Sequence, residues 1–417
     1  MVTSECTPLA KSGGLADAVA ALASQLSADG HDVRVLLPGY PHTPLGDKVG
    51  SIRIPNGMTV EEIQIYYTEL PPRTIPVYLF SHRWFIHREG IYGDSDEGFY
   101  SGNARRFALF SAGAAYLDRT IDWTPDIIHS HDWPTALVAP YLANRDAGEN
   151  ERRKIGTILT LHNVGYQGEF PSHAAQYLGL PPHFFRGADG KPDVNFLRMG
   201  IESADAVTTV SPTYAREILE PVHSCGLDGV LNERKTDLSG VLNGVDYEIW
   251  NPATDGYLPA RFDMDTLDRK ATNKERLLRE TGLAYRSPSA DRKDRIAGSR
   301  CNGTDGAARS GDNSEPRPLI GMITRLAEQK GIYELWRRPD GFFHKFAGRI
   351  DADFIVLGVG ETWCEEEIRC YVEEHFTVAA ILKFDERLAH LIEGACDFFL
   401  MPSRYEPCGL NQMYSLR

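Results

Sequence analysis

No stretch of this 417-residue chain approaches the ~20 consecutive apolar residues that a membrane-spanning helix needs, and no signal-peptide pattern is visible. Basic runs are missing too. Lys and Arg number 44 against 58 Asp and Glu, a formal net charge of -14, which disfavours nucleic acid and suits a neutral or locally steered ligand. The seven cysteines are scattered at irregular spacing, so no disulfide framework is indicated and a reducing compartment is expected. What is present is an ordinary globular balance, 42% hydrophobic and 24% charged, in a chain long enough for two or three domains.

The informative feature is a recurring one: apolar strands that end in polar, glycine-bearing loops. Residues 397–402 form an apolar run that predicts a buried strand, and Ser403-Arg404-Tyr405-Glu406-Pro407-Cys408-Gly409-Leu410 follows it. Open α/β sheets hold ligands at the C-terminal ends of their strands, where a carboxylate is useful and a glycine lets backbone approach closely. A short strand at residues 2–4 leads into Lys11-Ser12-Gly13-Gly14, and a helical stretch runs on to about residue 28. Backbone N–H groups at such a turn attract anions, and Lys11 adds a point charge. Residues 126–129 end in His129-Ser130-His131-Asp132; the preferred reading is one inward and one outward histidine at a strand end, not a metal site. Residues 157–161 end in His162-Asn163-Val164-Gly165. Residues 320–324 release Arg325 and Lys330 into one loop, two cations suited to a diphosphate. Repetition of one geometry argues for a ligand cleft.

Around these motifs the pattern predicts strands at 33–37, 75–80, 126–129, 157–161 and 206–210, with helices at 101–118 and 135–143. A second alternation predicts strands at 319–324, 354–357, 380–384 and 397–401 and a helix at 387–395. The aromatic and glycine-rich loop 92–100 is expected to line a sugar site or to pack on itself. Asp351-Ala352-Asp353 carries the Asp-x-Asp spacing of metal-dependent transferases, but it precedes a strand and is given no metal role. Residues 232–235 read as a charged turn, and Cys408 as small and half-buried, without an activating histidine.

The stretches KSGGLADA, HSHDWPTALVAPYL, LTLHNVGYQGEF, VTTVSPTYAREI, SGVLNGVDYEIWNP, ITRLAEQKG and FLMPSRYEPCGLNQMYSLR occur in one order and span most of the chain. Together they resemble the bacterial glycogen synthase and plant starch synthase family. The resemblance implies an α/β GT-B glycosyltransferase fold, two Rossmann-like domains facing a cleft. It implies residues 1–242 as the acceptor-side catalytic domain, 243–317 as a connector, and 318–417 as a partial nucleotide-sugar domain. The implied activity is retaining transfer of glucose from ADP-glucose to an α-1,4-glucan, without metal or other cofactor, in the cytoplasm, or in a plastid for a plant or alga. By the same resemblance Arg325 and Lys330 bind the distal phosphate and Lys11, Gly13 and Gly14 contribute to the substrate site. Glu406 meets the glucosyl hydroxyls, with Cys408, Gly409 and Leu410 beside it. His162 offers its backbone carbonyl near the anomeric carbon. Asp132 lies nearby and joins His162 and Glu406 in the implied catalytic set, while Asn163 and Asn243 belong to the implied substrate-binding set. Retention leaves two routes open: a covalent glucosyl-Glu406, or front-face attack.

Two departures from the family pattern stand out. Residues 285–317 are rich in Arg, Asp, Ser and Gly and nearly lack large apolar side chains, so a disordered insertion or a shifted reading frame is expected. The family's Thr-Gly-Gly phosphate loop and its closing helices are not found before Arg417, so the second domain is expected to be incomplete. The alternatives are another GT-B transferase using a UDP- or GDP-sugar, and a glucan- or nucleotide-binding remnant without turnover.

Overall fold

The structure is a computed structural model that describes residues 1–57, 59–71, 73–94, 98–147, 155–185, 194–283, 317–346, 349–375 and 377–417. The expected insertion at 285–317 therefore lies outside the described residues, apart from Arg317. The chain divides into two compact units, Met1–Gly244 and Val245–Arg417.

In the first unit the main strands are β1 (Val35–Pro38), β2 (Asp47–Asn56), β3 (Thr59–Leu70), β4 (Ile75–Ser81), β5 (Ile127–His131), β6 (Gly156–Leu161), β7 (Ala206–Thr209) and β8 (Leu238–Gly240). They run in two sets, β1-β4-β3-β2 and β8-β7-β6-β5. Val2 joins them, bridging Leu36 on one side and Ser130 on the other, both in parallel. The predicted strand at 2–4 is thus reduced to one bridging residue, yet that residue is the hinge of the topology. β1 and β4, a parallel pair, are apolar almost throughout because both of their faces are buried. Helix α1 (Gly14–Ala28) buries Val19 and Ala23 against Val35, Leu37, Val77 and Leu79. The antiparallel pair β2–β3 was not expected from the sequence. Its strands alternate buried Ile52, Ile54, Ile63 and Ile65 with exposed polar residues, a half-solvated pattern that is quieter than an apolar run.

The predicted helix at 101–118 is α2 (Asn103–Tyr116) followed by a 3-10 turn. The one at 135–143 is displaced: Trp133–Thr135 is a 3-10 turn and α3 runs Val138–Asp146. Residues 232–235 are more than a charged turn. Arg234 donates to the carbonyls of Ile201 and Ala204, both at 2.6 Å, and so caps α4 (Phe196–Ser203).

The second unit holds a parallel sheet of β9 (Leu319–Ile323), β10 (Asp353–Leu357), β11 (Val378–Ile381) and β12 (Phe398–Phe399), in the order β11-β10-β9-β12. Successive residues of β10 serve opposite cores. Ile355 and Leu357 pack with Leu277 and Leu391, whereas Phe354 and Val356 pack with Trp336 and Tyr371. Both faces are therefore covered, as in a doubly wound fold. Two strand expectations need correction. β11 lies earlier than 380–384, and Phe384 beyond it is exposed. The run 397–401 supplies only a two-residue edge strand whose Phe398 is 63% exposed, because it pairs on one side alone, with β9. Helix α5 (Glu386–Ala395) starts where Asp385 accepts the Leu388 N–H at 2.9 Å, an ordinary N-cap. Asp351 and Asp353 face Arg317 at 2.8 and 3.7 Å, so the Asp-x-Asp pair has a structural partner.

Candidate active site

Chain order reverses at two places in these sheets, and the predicted polar residues collect there. In the first unit the reversal is at Val2, with β1 on one side and β5 on the other. The loops leaving Val2, β5 and β6 carry Glu5, Asp132 and His162. Asp132 has φ +57° and ψ -177°, a backbone region that residues with a Cβ rarely adopt. That backbone turns its carboxylate toward the next strand end, where Oδ1 accepts the N–H of His162 at 2.6 Å and of Asn163 at 3.3 Å. Burial pushes the Asp132 carboxyl up to about 7, against the pull of those two N–H donors.

His129 and His131 lie on the same face, their rings stacked at 4.2 Å, because residues two apart in a strand point the same way. One inward and one outward histidine is therefore wrong. His131 Nδ1 meets His162 Nε2 at 3.1 Å, and His129 Nε2 meets Thr160 Oγ1 at 2.6 Å. Burial holds all three rings neutral, with His129 down at about 4, His162 at about 3 and His131 well below its usual value. Among the described residues no group of three His, Cys, Asp or Glu side chains could hold a metal ion.

The glycine-rich turn does not present its N–H groups to solvent. Glu5, 3% exposed, accepts from the backbone of Ser12 and of Gly13, the latter at 3.0 Å, and from Ser12 Oγ at 2.8 Å. Gly13 caps α1 and Gly14 begins it. Tyr92 donates to Glu5 at 2.6 Å, and its ring packs on Trp133 and Phe107. The aromatic loop thus packs on the protein at Tyr92. Lys11 pairs with Asp17 at 3.1 Å. Glu5 is a residue that the motifs did not single out, although it carries the same signal as Glu406: a carboxylate just past a strand end.

In the second unit the reversal falls between β9 and β12. Lys330 Nζ lies 2.5 Å from Glu406 Oε1, and Ser403 Oγ donates to the same oxygen at 2.6 Å. Both loops are locked together by backbone. Gly331 has φ +76°, and a Cβ there would come within 2.3 Å of the Pro402 carbonyl. Arg404 N–H donates to Gln329 at 2.9 Å, and Gln329 Nε2 to the Tyr405 carbonyl at 3.2 Å. Arg325 is exposed in the same loop as Lys330. Cys408 is half-buried. Gly409, at φ +78°, precedes helix α6 (Leu410–Leu416), and Asn411 Nδ2 ties that helix to the Ile323 carbonyl at 2.5 Å. Asn243, half-buried, stands past the end of β8 in the first unit; that strand closes at Gly240, before the exposed Val241 and Leu242.

Comparison with known proteins gives the family. Residues 1–233 match the starch synthase catalytic domain. The chain is 39% identical to a glycogen synthase of Treponema denticola and 37% identical to glycogen synthase 1 of Methylococcus capsulatus, across 100% of its own length and 80% and 78% of theirs. This chain belongs to the glycogen and starch synthase family. Its fold matches the catalytic domain of starch synthase IV from Arabidopsis thaliana, bound to ADP and acarbose, with a TM-score of 0.80 and 31% identity over 100% of this chain and 80% of that one. The family assignment makes the chain a glycosyltransferase of GT-B fold in glycogen or starch biosynthesis. Among the described residues no helix is long and apolar enough to cross a membrane.

Proposed function

We propose that the chain transfers glucose from ADP-glucose to the non-reducing end of an α-1,4-glucan, with retention at the anomeric carbon. The observation that carries this reading is the Lys330–Glu406–Ser403 set where β9 and β12 end, a cation and a carboxylate at the ligand position of a doubly wound sheet. The ADP and acarbose held by the starch synthase structure support a nucleotide donor and a saccharide partner. Breaking the anomeric C–O bond builds positive charge on the sugar and negative charge on the leaving diphosphate. Lys330 and Arg325 stabilise the diphosphate, and Glu406 orients the glucosyl hydroxyls.

In the first unit, Asp132 holds the His162–Asn163 backbone so that the His162 carbonyl faces the anomeric carbon. Lys11, Gly13, Gly14 and Asn243 belong to the same substrate machinery, as do Cys408, Gly409 and Leu410 in the second unit. Residues 1–242 form the acceptor-side domain and 318–417 the nucleotide-sugar domain; of the connector 243–317, the stretch that carries Leu258, Phe262 and Leu277 packs into the core of the second unit. The compartment is the cytoplasm, or a plastid if the source is a plant or alga. The test is glucose incorporation into glycogen by the purified chain. ADP-glucose is expected to serve without added metal and UDP-glucose poorly. Preference for UDP-glucose would overturn the donor assignment, and glucan binding without turnover from any donor would overturn the transferase reading.

A further inference from the structure

His131 is a buried imidazole, 1% exposed, to which the proposed reaction gives no task. Thr135, itself fully buried, holds its backbone: Oγ1 accepts the His131 N–H at 2.7 Å and donates to the His131 carbonyl at 2.8 Å. The His129 ring stacks on its face at 4.2 Å. His129 is tied in turn through Nε2 to Thr160 Oγ1, and Thr160 to Thr208 Oγ1, both at 2.6 Å. From this fixed ring, Nδ1 reaches Nε2 of half-buried His162 at 3.1 Å. The next residue, Asp132, accepts the His162 backbone N–H. Two consecutive residues at the end of β5 therefore grip one residue at the end of β6, the first by its ring and the second by its backbone.

The direction of the ring-to-ring bond follows from what the rest of His131 meets. A neutral imidazole carries one proton, so each ring donates at one nitrogen and accepts at the other. Nε2 of His131 is buried with no partner. Were the proton there, an N–H would be left buried and unpaired, and the bond would run from His162 to His131. With the proton on Nδ1, the bond runs from His131 to His162 and only a lone pair goes unmatched. An orphaned buried N–H is the rarer of the two in folded proteins. Burial keeps both rings neutral, which excludes a bridge with a proton on each facing nitrogen.

We propose that His131 is a positioning residue for glucosyl transfer: it donates from Nδ1 to His162 Nε2, and so fixes His162 as the Nδ1–H tautomer with its ring in one orientation. The tautomer of an imidazole is set by the bond its other nitrogen makes. With the ring held by His131 and the N–H by Asp132, the His162 peptide and its carbonyl have one place to stand. The catalytic part of this inference rests on the role of His162 put forward above; the tautomer does not.

Two-bond proton–nitrogen correlation spectra of the whole chain, labelled at histidine and free of substrate, read the tautomer, and His162→Gln identifies the signal. His162 is expected as Nδ1–H in the wild type. His131→Leu removes the donor and keeps the site apolar, so the Nε2–H form should appear. His131→Asn, whose amide N–H₂ stands near the place of Nδ1, should restore Nδ1–H. In parallel, kcat for glucose incorporation should fall about tenfold to a hundredfold in His131→Leu, with KM for glucan little changed, and should recover in His131→Asn. An Nε2–H His162 in the wild type overturns the proposal, and that result needs no variant to fold. So does His131→Leu with tautomer and kcat unaltered, or His131→Asn no better than His131→Leu. A wild type inactive with every donor would instead sink the transferase reading, and with it the catalytic role of His131, while the spectra alone decide the tautomer.

Discussion

Replacing Asp132 with Asn should make the first unit more stable at alkaline pH while lowering activity. The Asp132 carboxyl is raised to about 7 by burial. Between an ordinary aspartate pKa and that value the folded state holds a proton that the unfolded state has released. Stability is therefore withdrawn as pH rises toward 7, and stays withdrawn above it. From pH 5 the rise to the folded pKa spans two pH units at about 1.4 kcal/mol each, so Asp132 removes about 3 kcal/mol between pH 5 and pH 8. Asn places a carbonyl oxygen where Oδ1 accepts from His162 and Asn163, and, being the same size as Asp, it leaves the backbone cost at φ +57° unchanged. The loss from making two charge-assisted bonds neutral, about 1 kcal/mol each, is independent of pH above 7. The neighbouring histidines are common to both proteins and cancel in the difference. Urea unfolding followed by tryptophan fluorescence, at pH 5, 6, 7 and 8, should show the stability of Asp132→Asn relative to wild type climbing by about 3 kcal/mol. A difference that stays flat with pH would refute the assigned burial cost. Glucosyl transfer should fall even where the variant is the more stable protein, and undiminished activity would remove Asp132 from the site.

Three further outcomes follow from the geometry. Lys330→Ala should lower glucosyl transfer by about 10²–10³, the effect of losing one preorganised charge partner; full activity would remove its phosphate role. His129, His131 and His162 are all held neutral, so below pH ~6.5 the unfolded chain takes up protons that the folded one refuses, at about 1.4 kcal/mol per histidine at pH 5.5. Against about 2 kcal/mol regained from Asp132, the first unit should be about 2 kcal/mol weaker at pH 5.5 than at pH 7.5, and unchanged or rising stability would count against the buried neutral cluster. Gly331→Ala combines a left-handed backbone with a methyl group 2.3 Å from the Pro402 carbonyl, whereas Gly226→Ala, also left-handed, meets open space. Thermal unfolding should penalise the first well beyond the ~1 kcal/mol of conformational strain expected for the second; equal losses would mean that the two loops are not locked together.

The sequence by itself determined the alternation of strands and helices and the strand ends on which Asp132, His162, Lys330 and Glu406 sit. Those signals are local: an apolar run, then a polar loop with glycine, is written in consecutive residues. It also carried the family, because seven motifs in order are a property of the chain and not of its folding. The β2–β3 arm escaped notice because a half-solvated strand alternates polar and apolar residues and makes no run. Phe398 was expected inside because composition cannot tell an edge strand from a central one; only pairing can. Tertiary structure alone decided who meets whom. Glu5 takes the N–H groups of Ser12 and Gly13 because the chain turns back on itself there. Lys330 and Glu406 are 76 residues apart and meet because β12 returns to pair beside β9. The upward shift of Asp132 and the downward shifts of the three histidines belong to burial, which arises from the packing of many elements and is written at no single position.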